Sequence, residues 1–211
     1  MVELPVVYAW REDEISGLHH RADWNYKINC NSITNVIEWA EKFSGNHRLL
    51  SDVGIPLERC VIAAYQIGYL FDYVEMKKDD AFYKFMSEGL ASILLHTIAS
   101  YEMTGRGTQN IKIICSHGKW SELCRILNCS NHAYEYNEIL LKLSEAMFKY
   151  QRWILYEHMG RTKRWNEQEF VGQYTDIMFC CCRLANKFNV SLEEGFAYTM
   201  SKIQDGEIKR H

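Results

Sequence analysis

The sequence predicts an all-α protein, and three observations carry that expectation. Two prolines and twelve glycines in 211 residues leave few chain breakers, which favours long helices over short strands joined by turns. Apolar residues recur at helical spacing over several stretches of twenty residues or more. The strongest is residues 169–190, where Phe170, Tyr174, Ile177, Met178, Cys181, Leu184, Ala185 and Phe188 fall on one side. On the other side lies a polar stripe of Glu169, Gln173, Asp176, Cys180, Arg183 and Lys187. Finally, 47% hydrophobic residues with 13% aromatics are ample for a packed core in a chain of this length.

In chain order, residues 1–31 show no sustained period and read as an N-terminal arm, with a short extended piece at Val6 to Trp10. His19 and His20 beside Asp23 are read as a surface loop, because adjacent histidines rarely ligate one ion. Ser32 is the expected N-cap of a helix over residues 33–43, with Ile33, Val36, Ile37 and Ala40 facing inward. Pro56 opens a longer helix over residues 56–76. It carries no charge between Cys60 and Phe71, so it is expected to be buried on most sides.

A third helix spans residues 80–103, with Gly105 as its expected C-cap. Its middle holds a single carboxylate, Glu88. A lone carboxylate among apolar neighbours must be paired, protonated or functional, because isolated buried charge is expensive.

Residues 105–115 read as a linker, after which the plan restarts. Ser116 is the expected cap of a short helix to residue 127, a long helix covers residues 134–159, and the 169–190 helix follows. The turn at Asn189 to Ser191, with Ser191 capping over Glu193 and Glu194, starts a last helix to residue 204. An offset of 84 carries Ser32 onto Ser116, Glu38 onto Glu122, Leu57 onto Leu141 and Ser92 onto Asp176. The expected organisation is therefore an arm, a helical repeat over 32–104, a linker, and a second repeat over 116–211.

Composition bounds the function as well. A net charge of −3 without a long block of one sign argues against a nucleic-acid polymer as partner. No apolar run of eighteen uncharged residues occurs, and the start Met1-Val-Glu-Leu-Pro has neither basic nor apolar leader character. The expectation is a cytoplasmic protein with no membrane partner. Eight cysteines, three of them consecutive, do not form a disulfide framework and read as small apolar core residues. Cys115, His117, Cys124, Cys129 and His132 supply enough N and S atoms for zinc, but their spacing fits no standard finger.

The run Tyr174-Thr-Asp176-Ile-Met-Phe-Cys-Cys-Cys-Arg-Leu-Ala-Asn-Lys-Phe-Asn-Val-Ser-Leu-Glu-Glu-Gly-Phe resembles the last two helices of the MazG-like all-α nucleotide pyrophosphohydrolases, the superfamily of dimeric dUTPases and dCTP pyrophosphatases. The resemblance implies a MazG-like helical bundle, here as two diverged repeats in one chain. It implies acidic motifs, Glu-Glu-x-x-Glu and Glu-x-x-Asp, that hold Mg²⁺ against a nucleoside triphosphate. Carried over, Asp176 takes the aspartate place with Gln173 where a glutamate belongs, and Glu145 takes one carboxylate place with Ala146 and Lys149 at the others. In the first half Tyr65, Gln66 and Tyr69 stand at the first motif, with Gly89 and Ser92 at the second and Glu88 beside it. Glu145 and Asp176 are thus the expected metal ligands, with Mg²⁺ as the cofactor.

The expected function is nucleotide binding, for sequestering or sensing, with little or no hydrolysis. Its ligand set is Tyr65, Tyr69, Glu88, Glu145, Tyr150, Trp153, Asp176 and Lys202. The four aromatics would stack a base, and Arg161, Lys163 and Arg164 are available for phosphates. An active Mg²⁺-dependent pyrophosphohydrolase drawing on Glu88, Glu145, Glu169 and Asp176 is the first alternative. A helical protein-interaction module is the second. Either way, the resemblance implies a homodimer.

Overall fold

The computed structural model describes residues 32–48, 54–104, 118–129, 134–161 and 166–204. Among these residues it consists of seven α-helices and no strand, as an all-α chain requires. They are α1 (Ile33–Arg48), α2 (Gly54–Val74), α3 (Asp80–Met103), α4 (Trp120–Cys129), α5 (Tyr136–His158), α6 (Glu167–Phe188) and α7 (Leu192–Gln204). The arm over 1–31, the linker over 105–115, and the positions of Gly105 and Ser116 lie outside the described residues.

Capping fixes most boundaries. Ser32 Oγ accepts the N–H of Asn35 at 3.0 Å, and α1 then runs about a turn beyond residue 43, passing through Gly45. One glycine weakens a helix by about 1 kcal/mol without ending it. Asp79 caps α3 by accepting from the Phe82 N–H at 3.2 Å. Its far end is closed by Thr104, whose hydroxyl donates to the Tyr101 carbonyl at 2.7 Å. α4 begins at Trp120, three residues later than a cap at Ser116 implies. Gly118 sits at φ +74°, in the left-handed region, so the helix cannot include it. The Gly118 carbonyl accepts the N–H of Ile33 at 3.0 Å, which ties the start of α1 to the start of α4.

α2, α3, α6 and α5 form a ring in which each neighbour runs antiparallel to the next. Tyr73 of α2 stacks on Phe85 of α3 at one end, and Cys60 Sγ lies 3.1 Å from Ser100 Oγ at the other. Phe82 of α3 meets Phe188 of α6, while Tyr101 meets Phe170 and Tyr174. Tyr136 of α5 meets Phe188, and Tyr150 stacks on Phe170. α5 closes the ring on α2, where Gln151 Nε2 donates to the Cys60 carbonyl at 2.9 Å. The segment from α3 to α5 returns along the bundle and carries α4, a long crossover of the kind four-helix bundles allow.

α3 has further cover. α1 and α7 both pack on it, in addition to α2 and α6. That is why residues 89–102 are buried on every side, and why this stretch of sequence contains no charge other than Glu102. α4 packs on α6 and α7. An offset of 84 lays the spans of α1, α2 and α3 over those of α4, α5 and α6, and α4 packs on α6 as α1 packs on α3.

The polar stripe expected on α6 needs one correction. Cys180 is buried, with its thiol pushed up to about 11 chiefly by desolvation. The helix turns slightly more of its surface into the core than its charged residues suggested.

Candidate functional site

The eight side chains singled out from the sequence do not converge on one place. They divide among the bundle interior, the α5–α6 seam, and the face where α2 and α7 approach α3.

Tyr150 and Trp153 belong to the interior. Tyr150 is fully buried, its ring stacked on Phe170 with centroids 4.8 Å apart. Its hydroxyl lies 3.2 Å from Ser100 Oγ, which also contacts Cys60. Burial raises the Tyr150 phenol well above its ordinary range and pushes the Cys60 thiol up to about 12, so both stay protonated at neutral pH. Trp153 is buried with its ring edge-on to Tyr156. Each of these aromatics already has its ring packed by the protein, which leaves no face for a nucleobase.

Glu145 and Asp176 lie on the α5–α6 seam, near enough for the Glu145 charge to act on the Asp176 carboxyl. Lys149 Nζ is 2.5 Å from Glu145 Oε1, and that ammonium holds the Glu145 carboxyl below its ordinary value. Partial desolvation raises the Asp176 carboxyl, while Lys149, Lys142 and Arg183 pull it down. Tyr134 stacks under Lys142, 3.9 Å from its centroid. A hard divalent cation seeks six or more oxygens, whereas this seam offers two carboxylates with an ammonium against one of them. No group of three or more His, Cys, Asp or Glu side chains is placed to hold a metal ion among the described residues. Of the zinc candidates, Cys124 is buried and hydrogen-bonded to the Cys182 thiol; Cys115, His117 and His132 lie outside the described residues, as does the Cys129 side chain.

Glu88 and Lys202 lie on the α3–α7 face. Its geometry starts at the α6–α7 turn, where Asn189 adopts a left-handed conformation at φ 53°. Val190 donates back to the Ala185 carbonyl there, in a Schellman-type closure. Ser191 then caps α7 by accepting the N–H of Glu194 at 3.2 Å, and the Ser87 hydroxyl donates to the Ser191 carbonyl at 2.5 Å. One turn on, Gly195 lies directly on α3: a Cβ there would stand 2.3 Å from the Ser87 carbonyl oxygen. Only glycine permits that approach, and it brings Tyr198, Thr199 and Lys202 against α3.

Two ammonium groups meet one ring on this face. Lys84 Nζ lies 4.4 Å from the Tyr198 centroid, and Lys202 Nζ lies 4.3 Å from it. Lys84 Nζ is also 3.7 Å from Glu88 Oε1, whose side chain is 14% exposed. Lys202 is buried along almost its whole length. Each cation–π contact is worth ~0.5–2 kcal/mol, but two like charges gathered on one ring repel, and an anion placed between them would relieve that repulsion.

An aromatic ladder from α2 runs to the same part of α3. Tyr69 stacks on Tyr73, and Tyr73 on Phe85, which adjoins Lys84 in sequence. Tyr65 stands one turn before Tyr69 and is half-buried, while Gln66 on the same helix and Ser92 on α3 are buried. Ser92, which an offset of 84 relates to Asp176, lies one turn from Glu88 on α3.

Sequence reasoning passed over Lys84 and Tyr198. The signal was present as two i, i+4 pairs, Lys84 with Glu88 and Tyr198 with Lys202, but nothing in one chain's sequence says that two such helices face each other.

No family model, curated protein or solved structure matches this chain.

Proposed function

We propose that this protein binds a small phosphorylated ligand of the nucleotide class on the α3–α7 face, without hydrolysing it. The observation that carries the reading is the pair of ammonium groups, Lys84 and Lys202, on the single Tyr198 ring, with the Glu88 carboxylate beside Lys84. Ammonium groups of this kind bind phosphate as point charges, and the Tyr65–Tyr69 stretch provides aromatic surface for a base.

Absence of hydrolysis follows from the chemistry of the carboxylates. Metal-dependent attack on a phosphoanhydride needs several oxygens around one or two hard cations. Glu145 is held by Lys149 on the seam, and Glu88 by Lys84 on another face. A MazG-like ancestry with two diverged repeats is part of the same proposal, supported by the matching helix order and by the matching cover of α3 by α1 and α6 by α4.

Calorimetry against nucleoside mono-, di- and triphosphates, with and without Mg²⁺, tests the reading. Binding that persists without Mg²⁺, and no pyrophosphate release, are the expected results. Failure to bind any of them overturns it, and Mg²⁺-dependent release that disappears in Asp176→Asn would establish the enzyme instead.

A further inference from the structure

α4 is the shortest of the seven helices, ten residues long, and a helix of that length does not persist in water without tertiary packing. Its inward side chains are Trp120, Leu123 and Cys124, with Leu127 half-buried. Towards α7, Trp120 packs on Phe196 with centroids 5.0 Å apart, and the Ser121 N–H donates to Glu193 Oε1 at 2.8 Å.

Towards α6 the hold is made at two adjacent points. The Asn186 side-chain amide donates to the Cys124 carbonyl, and one turn back along α6 the Cys182 thiol is hydrogen-bonded to the Cys124 thiol. Cys182 and Asn186 are four residues apart and share one face of α6, and both reach the same residue of α4. The two sulfurs therefore meet where the helices approach closely enough for a short amide side chain to span from one to the backbone of the other. Successive helical residues are about 100° apart, so the neighbours of Cys182 turn away from this face. Cys180 lies by the α5–α6 seam, where Asp176 and Arg183 act on its thiol.

We infer that Cys124 and Cys182 form a reversible disulfide that latches α4 to α6 when the folded chain meets a peroxide. The inference is independent of the ligand reading, because neither sulfur belongs to the Lys84, Tyr198 and Lys202 group. The two thiols differ in a way that orders the steps. Cys124 stands at the edge of the core and is 7% exposed, whereas Cys182 is 0% exposed. Its hydrogen bond with Cys124, together with the loss of hydration, holds the Cys182 thiol well above its usual range, so Cys182 keeps its proton. Cys124 is the sulfur that the oxidant reaches.

The Cys124 thiolate attacks one peroxide oxygen and the O–O bond breaks. The departing hydroxide takes the proton that Cys124 released, which leaves a sulfenic acid and one water. Cys182 Sγ then attacks the sulfenic sulfur, the S–O bond breaks, and the leaving hydroxide takes the Cys182 proton as a second water. Two thiols are oxidised and one peroxide is reduced to two waters. The product suits its surroundings, since a disulfide is uncharged and carries no donor that burial would leave unsatisfied.

Mapping the oxidised thiols tests this. The folded wild-type chain is treated with excess hydrogen peroxide, its remaining thiols are alkylated, and the unreduced digest is read by mass spectrometry. The expected product is a cross-linked peptide pair joining Cys124 to Cys182, two hydrogens lighter than the reduced peptides and separated by dithiothreitol. The bond closes a loop of roughly 60 residues, so the oxidised chain is expected to unfold ~5–15 °C above the reduced one. Its α4 amides are expected to exchange with deuterium at least ~10-fold more slowly. Cys180→Ala is expected to keep the thermal shift, and Cys124→Ala and Cys182→Ala to lose it. A cross-link from Cys124 or Cys182 to any other cysteine overturns the proposal, as does a wild-type Cys124 that passes to the sulfinic acid or stays a thiol without joining Cys182. A thermal shift that persists in Cys182→Ala overturns it as well.

Discussion

The Tyr150 hydroxyl lies 3.2 Å from the Ser100 hydroxyl, in a bundle where both side chains are fully buried. Ser100 in turn lies 3.1 Å from Cys60 Sγ, so α5, α3 and α2 are joined by one polar layer. Removing the phenol oxygen with Tyr150→Phe keeps the ring stack on Phe170 and should cost about 1 kcal/mol. Ser100→Ala leaves the buried phenol without this partner and should cost more, ~1–3 kcal/mol. Urea unfolding of the two variants checks the order. Neither should change ligand affinity, because the layer is remote from Lys84 and Lys202 in the bundle.

His96 gives the protein an acid sensitivity. Burial, with the charge of Arg59 adding to it, lowers its pKa from 6.5 to about 3, and its Nδ1 has no hydrogen-bond partner among the described residues. The folded state keeps this imidazole neutral, whereas the unfolded chain protonates it below pH 6.5. Its contribution is therefore complete above pH 6.5 and is lost progressively as the pH falls towards 3. Between pH 6.5 and 5 the loss from this one group is about 2 kcal/mol. Thermal unfolding across that range should show a falling Tm in the wild type and a distinctly flatter curve in His96→Leu. Parallel curves would remove His96 as the cause.

Gly195 is the point on which the α3–α7 approach turns. A methyl group there would press on the Ser87 backbone, 2.3 Å from its carbonyl oxygen, and backbone cannot step aside as a flexible side chain can. Gly195→Ala should therefore destabilise by ~1–3 kcal/mol or more and weaken ligand binding at the same time, because Tyr198 and Lys202 follow on that helix. Gly172, inside α6, has nothing within 4 Å of an added Cβ. Gly172→Ala should stabilise by ~0.5–1 kcal/mol through helix propensity alone. Chemical denaturation of the pair separates steric contact from backbone entropy.

Much of the fold was legible locally. Ser32 and Ser191 cap the helices assigned to them, whereas the charge-free run from Cys60 to Phe71 of α2, expected to be buried on most sides, leaves Val61 and Phe71 exposed, because α2 packs mainly on α3 and α5. The caps follow from interactions within a few residues along the chain. The start of α4 was not legible, because nothing near Ser116 announced that Gly118 would adopt a left-handed conformation, which the helix cannot include. The candidate site was harder still. Tyr150 and Trp153 carried the same period as the core and proved to be part of it. Glu88 stood out as a lone carboxylate, yet its neighbourhood depends on the contact of α7 with α3 across roughly a hundred residues of sequence. Tyr198 and Lys84 became visible only when that contact was made.

The central claim is that phosphate is held by Lys84 and Lys202 at Tyr198. It is tested most directly by calorimetry of wild type, Lys84→Met, Lys202→Met and Asp176→Asn against the best-bound nucleotide, without Mg²⁺. Each lysine variant is predicted to lose about tenfold in affinity, a loss of ~1.4 kcal/mol, with Asp176→Asn unchanged. Full affinity in both lysine variants, or binding abolished by Asp176→Asn, would contradict the account and move the site to the α5–α6 seam.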